Sequence, residues 1–222
     1  MKSETKILRE EEQSALKDKH KADILAAGMR LCLEKGVADV DMKEIAAAAR
    51  VSRATLYRYF PSKKLLVYEI LRWQAELNAK GYDAARQTFT GNGYEKFGQF
   101  VAQLVDAYRV FPDMFRFMGM VDFYYCSKDT SEDLIGLYQD VFYSLLVDET
   151  PQVYLEEGQR DGSVRKDIDP RTYTATVIAA LVSLAEQITA NKETTQSLYG
   201  VKDADVMMKV AADAFVRMTA RV

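Results

Sequence analysis

Between Asp41 and Lys64 the chain is punctuated so tightly that it can form only two short helices and the start of a third. Asp41 offers a capping oxygen, Glu44 follows at the position that completes a capping box, and Ile45 to Ala49 are helix formers. Arg50-Val51-Ser52 interrupts that pattern, and Ser52 offers its hydroxyl to the free amides of a helix opening at Arg53. Pro61 cannot lie inside a helix and so ends this second one, Ser62 caps the next, and Lys63 and Lys64 fall in its first turn. Two short helices across a tight turn form a pair whose second member can lie in the major groove of DNA, its N-terminal residues at the base edges.

The faces of that second helix follow from its period. Leu56 and Phe60 are four residues apart and turn inward, which leaves Arg53, Tyr57 and Arg58 outward. Arg53, Ala54, Thr55 and Tyr57 are the candidate base readers. Two lysines opening the following helix oppose its dipole, a disfavoured arrangement that a DNA phosphate at the free amides would resolve.

Residues 20–70 resemble the TetR/AcrR family of helix-turn-helix transcriptional regulators. The likeness rests on a first helix from about His20 to Lys35 closed by Gly36, on Val37 through Ala49, and on Leu-Tyr-Arg-Tyr-Phe-x-x-Lys-Lys-x-Leu beginning at Leu56. Beyond Leu71 it is one of layout, with a Gly-x-Val-Arg-x-Asp-x-Asp-Pro stretch from Gly162 to Pro170 similar to the loop before the family's dimerisation helices. The resemblance implies that Met42 and Lys43 meet DNA phosphate, Met42 through its backbone amide because many relatives have Thr there. It places Arg53, Ala54, Thr55 and Tyr57 at bases or adjoining phosphates and Tyr59 and Lys63 at phosphates, with Ser52 and Arg58 completing the DNA-binding set. Arg50 stands where the family usually has Gly, so a strained or altered turn is expected there.

Charge is distributed as such a surface requires. Residues 42–64 carry six basic side chains and one acidic, a local +5, whereas residues 66–222 carry 16 basic and 23 acidic side chains, a net −7. The positive footprint is local, and the acidic remainder discourages nonspecific binding to nucleic acid. The first eighteen residues mix Lys2, Lys6, Arg9 and Lys17 with Glu4, Glu10, Glu11, Glu12 and Asp18 and read as a solvated extension.

Four prolines and eleven glycines in 222 residues leave room for an all-α chain. The expected organisation is an N-terminal extension at 1–18, a three-helix DNA-binding domain at 19–65, and a helical effector-binding and dimerisation domain at 66–222. Helices are predicted from Lys63 to about Gln87, Tyr94 to Val110, Pro112 to Cys126, Ser131 to Val147, Pro151 to Asp161, Pro170 to Asn191 and Asp203 to Val222. The longest wholly apolar runs, such as Val177 to Val182, are shorter than a membrane span, and the charged N-terminus has no apolar signal segment, so a cytoplasmic protein without a membrane partner is expected.

An aromatic and methionine-rich region begins at Phe111. It can be core or can line a cavity for an apolar small molecule, and the candidate effector residues are Gln103, Tyr108, Phe115, Met118, Asp122, Phe123, Tyr138, Phe142 and Gln187. Cys32 and Cys126 have no metal-ligand spacing and read as buried thiols, while His20, the single histidine, is placed in solvent or near the DNA backbone. No metal, cofactor or catalytic residue is predicted.

The last two predicted helices carry apolar stripes, Tyr173, Val177, Leu181, Leu184 and Ile188 on one and Val206, Val210, Phe215 and Met218 on the other. A two-fold homodimer through those helices, suited to a palindromic operator in double-stranded DNA, is what the resemblance implies. The resulting expectation is a repressor released from its operator by a small-molecule effector of unknown identity. The alternatives are a DNA binder of the same fold without an effector, and an all-α enzyme using Glu156, Glu157 and Asp161. Adjacent glutamates on a helix diverge, and no nucleophile motif or Gly-rich phosphate loop accompanies them.

Overall fold

The computed structural model of the chain describes residues 2–126, 136 and 151–221, with side chains at 16–77, 84–125, 136 and 151–221. The predicted helix from Ser131 to Val147, with Tyr138 and Phe142, lies outside the described residues except at Gly136. Ten α-helices are described: α1 (Lys2–Lys35), α2 (Met42–Ala48), α3 (Arg53–Tyr59), α4 (Lys63–Arg86), α5 (Gly93–Val110), α6 (Pro112–Val121), α7 (Gln152–Asp161), α8 (Pro170–Ala190), α9 (Lys192–Tyr199) and α10 (Ala204–Thr219). The described residues contain no strand beyond an isolated bridge between Val164 and Ala220. The chain divides into two compact units, Met1–Trp73 and Gln74–Val222, and passes from one to the other within α4.

In the first unit, α1 packs on α2 and α2 on α3. Their inward faces supply Ile24, Leu25, Cys32, Ile45, Ala46, Leu56 and Phe60, all buried with Leu66 and Ile70 of α4. The approach of α1 to α4 is close: a Cβ on Gly28 would lie 3.0 Å from Cδ1 of Ile70. Burial pushes the Cys32 thiol up to about 11, which makes it the inert core thiol expected. The first helix is longer than predicted, continuing back to Lys2 as part of α1.

In the second unit, α5 packs on α7 and α10, and α8 packs on α6, α7 and α10. Phe97, Phe100, Phe117, Val121, Leu155, Val177, Leu181, Ile188 and Met208 fill the centre. The backbones of α5 and α7 meet at two glycines, where a Cβ on Gly93 would fall 2.0 Å from the amide nitrogen of Gly158. The free amides at the start of α5 are satisfied across this junction. Gly93 N donates to Oδ2 of Asp161 at 2.9 Å and Tyr94 N to Oγ of Ser163 at 3.1 Å. By length and a mean hydropathy of 1.3, α8 is apolar enough to cross a membrane, but its period is that of a helix packed on one side, with Val177, Leu181, Ala185 and Ile188 buried and Ala175, Ala179 and Ser183 exposed.

Two local features depart from the sequence expectation. The helix from Pro112 keeps α geometry only to Val121 and then widens to π geometry over Asp122–Cys126. The connection between the last two predicted helices contains α9, capped by Asn191 at its start and closed by Gly200 at φ 64. Its sequence, Lys-Glu-Thr-Thr-Gln-Ser-Leu-Tyr, has one buried residue, Thr195, and hence no apolar period to reveal it.

Candidate nucleic-acid interface

The turn between α2 and α3 is built by side chains closing on nearby backbone. Asp41 Oδ1 accepts from Lys43 N at 2.8 Å while Glu44 Oε2 accepts from Asp41 N at 3.3 Å, completing the capping box. The hydrogen bond from Lys43 N holds the Asp41 carboxyl below the usual carboxylate range, and the Lys35 ammonium, 2.9 Å from Glu44, does the same for Glu44. At the turn itself Arg50 takes φ 56, in the left-handed region that a glycine would occupy without strain. Ser52 Oγ then accepts from Thr55 N at 3.0 Å and opens α3.

Leu56 and Phe60 turn inward, 0% and 3% exposed, and the opposite face of α3 presents Arg53, Ala54, Tyr57 and Arg58 to solvent. Tyr57 is 49% exposed, a large aromatic among arginines. The Arg58 guanidinium lies over the Tyr59 ring at 5.6 Å. Thr55 is half-buried, and its hydroxyl lies 2.9 Å from that of Ser52. Lys43 is exposed at the start of α2.

The side chains of three members of the predicted set are engaged within the first unit. Met42 is 6% exposed, so its side chain belongs to the core, and the contact expected of it is through the backbone amide alone. Tyr59 is half-buried and its hydroxyl donates to the Lys17 carbonyl at 3.3 Å, tying the end of α3 to α1. Lys63 has the most extensive contacts of the three. Its ammonium donates to the carbonyls of Val37, Ala38 and Val40 at 2.8, 2.9 and 3.0 Å, and these three bonds match the three donors an ammonium has. The loop between α1 and α2 thus gathers around this lysine.

In the second unit the described residues of the predicted effector set do not gather in one place. Phe115 and Met118 are buried core, Phe123 is 87% exposed, and Gln187 is exposed with its amide donating to the Tyr199 hydroxyl at 3.1 Å. The Tyr108 hydroxyl donates to Oδ1 of Asp205 at 2.5 Å, and Asp205 also receives the Lys192 ammonium at 2.9 Å, so Tyr108 joins α5 to α10 and α9. Asp122 is half-buried, its carboxyl pushed up to about 6 by desolvation. Among the described residues of the predicted set, Gln103 lines the apolar groove of about 570 Å³ that runs along α5, with Leu77, Phe89, Ala102, Val110 and Phe111 as its greasy walls. Gln99, Gln103 and Asp106 give it polar points at helical spacing on one side of α5, a pattern legible in the sequence but overshadowed by the aromatic cluster downstream.

The carboxylates considered for catalysis have structural partners. Glu157 receives the Lys96 ammonium at 2.7 Å, and Asp161 accepts from the amides of Gly93 and Ser163. Glu156 is exposed.

Comparison with known proteins agrees with this geometry. A family model described as bacterial regulatory proteins, tetR family, matches residues 24–70. The HTH-type transcriptional repressor KstR2 of Rhodococcus jostii (strain RHA1) is 26% identical over 167 residues, covering 69% of this chain and 72% of that protein. Among solved structures, the transcriptional regulator FadR from Bacillus subtilis, in complex with stearoyl-CoA, superposes with a TM-score of 0.63 at 14% identity, covering 89% of this chain and 98% of that one. NalD of Pseudomonas aeruginosa, the secondary repressor of the MexAB-OprM multidrug efflux pump, gives 0.62 at 18% identity, covering 92% and 97%. Residues 24–70, in which α3 is the exposed basic member, thus match the tetR family of bacterial regulatory proteins, and the all-helical fold is shared with solved regulators over most of the chain.

Proposed function

We propose that this chain is a DNA-binding transcriptional regulator, a repressor that leaves a palindromic operator when a small-molecule effector occupies its second unit. The observation that carries the reading is the outer face of α3, where Arg53, Ala54, Tyr57 and Arg58 stand in solvent on a helix opened by a serine cap. Arginine in that position pairs with guanine, and a face of this kind supplies both phosphate and base-edge contacts. Lys43 and the amides of α2 add contacts to the backbone of the duplex.

The groove along α5 supports an effector with an apolar portion, oriented by Gln99, Gln103 or Asp106. The Bacillus subtilis protein of the same fold is solved with stearoyl-CoA, which fits that chemistry. Because α4 belongs to both units, an effector that prefers one disposition of α4 shifts operator affinity by its differential binding energy and no more. Exposed Val206, Val210 and Met218 on α10, with the outer residues of α8, form the apolar surface for a second copy, and a homodimer matches a two-fold operator. A target in the chromosome places the protein in the cytoplasm.

The test is selection of bound duplexes from a random DNA pool, followed by screening small molecules for release. Recovery of one palindromic sequence, released by an apolar compound, is the expected result. Binding without sequence preference would reduce the function to nonspecific DNA association, and an operator that nothing releases would remove the effector.

A further inference from the structure

We propose that Lys63 is a positioning residue for DNA recognition: it pins the loop that sets α2 to the first turn of α4, and it does not hold the DNA backbone. The inference rests on the DNA-binding function proposed above. Carbonyl oxygens of Val37, Ala38 and Val40 converge on the ammonium at 2.8, 2.9 and 3.0 Å. Three peptide oxygens crowded around one point repel one another unless a cation sits among them, and Lys63 supplies it. The oxygens also follow the C-terminus of α1, the negative end of that helix, so the arrangement answers the unfavourable placement of a cation in the first turn of α4.

The loop is held from below as well as from the side. Val37 and Val40 are each 2% exposed, and the loop leads directly into Asp41, the cap of α2. From there the path to the reading helix is short and stiff: seven residues of α2, a turn at Arg50 in the left-handed region, and the Ser52 cap of α3. A shift of the pinned loop therefore displaces α2 and α3 together. Lys63 opens the same helix that enters the second unit, so the pin ties the start of α4 to the loop before α2.

The experiment uses the full chain, with Lys63→Met, which keeps the stem and removes the cation, and Lys63→Arg, which keeps a cation but spreads its donors over a plane that cannot converge on three oxygens. Binding to the operator selected for the wild type and to a scrambled duplex is measured over a salt series, with the active fraction fixed by stoichiometric titration. Amide hydrogen exchange is followed at Lys43, Glu44 and Ile45. Both variants should lose operator affinity by about tenfold or more, keep scrambled-duplex affinity within about twofold, and keep the wild-type salt slope. Exchange at the three amides should quicken while mid-α1 amides stay protected.

A salt slope lowered by about one per protomer, with equal loss on both duplexes, would make Lys63 a phosphate ligand. Wild-type affinity in Lys63→Arg would have the same meaning, since a guanidinium serves a phosphate well, and unchanged affinity in Lys63→Met would make the pin irrelevant to recognition. If Lys63→Met does not fold, Lys63→Arg decides alone. Should the wild type select no operator, the DNA-binding function is what fails, and the exchange rates still judge the pin.

Discussion

Ser52 Oγ accepts a hydrogen bond from the Thr55 amide at 3.0 Å and stands 2.9 Å from the Thr55 hydroxyl, so one serine both caps the reading helix and orients a residue on its first turn. Replacing it with alanine leaves an amide of α3 without its acceptor. Ser52→Ala should lower stability of the first unit by about 1 kcal/mol in a denaturant titration, and Ser52→Asp should restore it. Equal stability of all three proteins would show that the cap contributes nothing.

Arg53 opens the exposed face of α3 and is expected to read a base edge, most often guanine. Arg53→Ala should cost roughly 1 to 3 kcal/mol of operator binding and relax preference at one position per half-site. Competition between operator variants checks this. A uniform loss over all positions would assign Arg53 to the phosphates instead.

The α5–α7 junction tolerates nothing larger than hydrogen at Gly93. A Cβ there would lie 2.0 Å from Gly158 N and 2.4 Å from the Tyr154 carbonyl oxygen, both backbone atoms that cannot turn aside. Gly93→Ala should destabilise the second unit by about 3 kcal/mol or more. Gly98→Ala in the same helix meets only Val216 Cγ1 at 3.6 Å and should be neutral or stabilising by about 0.5 kcal/mol. Similar melting temperatures for the two variants would contradict the packing described.

Glu186 and Asp122 set a pH dependence. Burial, with repulsion from Asp122, pushes the Glu186 carboxyl up to about 8, and burial alone raises Asp122 to about 6. A carboxyl raised on folding binds its proton more tightly in the native state. Its contribution is therefore most favourable at a pH below the unfolded value and is lost as pH climbs through the folded one. Stability should fall between about pH 5 and pH 8, and Glu186→Gln should flatten that fall and raise the melting temperature at pH 8 by on the order of 2 to 4 °C. Parallel profiles for variant and wild type would remove Glu186 from the account.

Val210 is 61% exposed on α10 beside Val206 at 52%. Val210→Glu leaves the monomer's own core untouched and should split a dimer built on this face, lowering operator affinity with it. Sedimentation of both proteins at micromolar concentration checks it. A variant that stays dimeric would move the interface elsewhere.

The sequence by itself determined what depends on neighbours three or four residues apart. The caps at Asp41 and Ser52, the stop at Pro61, the inward Leu56 and Phe60 and the helical starts at Pro112 and Pro170 all arise from side chains acting on adjacent backbone or from helical period. That is why the reading helix and its exposed arginines are legible in the order of the residues. The tertiary structure alone decided where long side chains end. Lys63 reaches carbonyls 23 to 26 residues away, Tyr59 one 42 residues away, and Tyr108 a carboxylate 97 residues away, and no local pattern records such pairings. A lysine in the first turn of a helix announces that some negative partner is near. That three peptide oxygens stand beside Lys63 follows from which loop the packed core brings there.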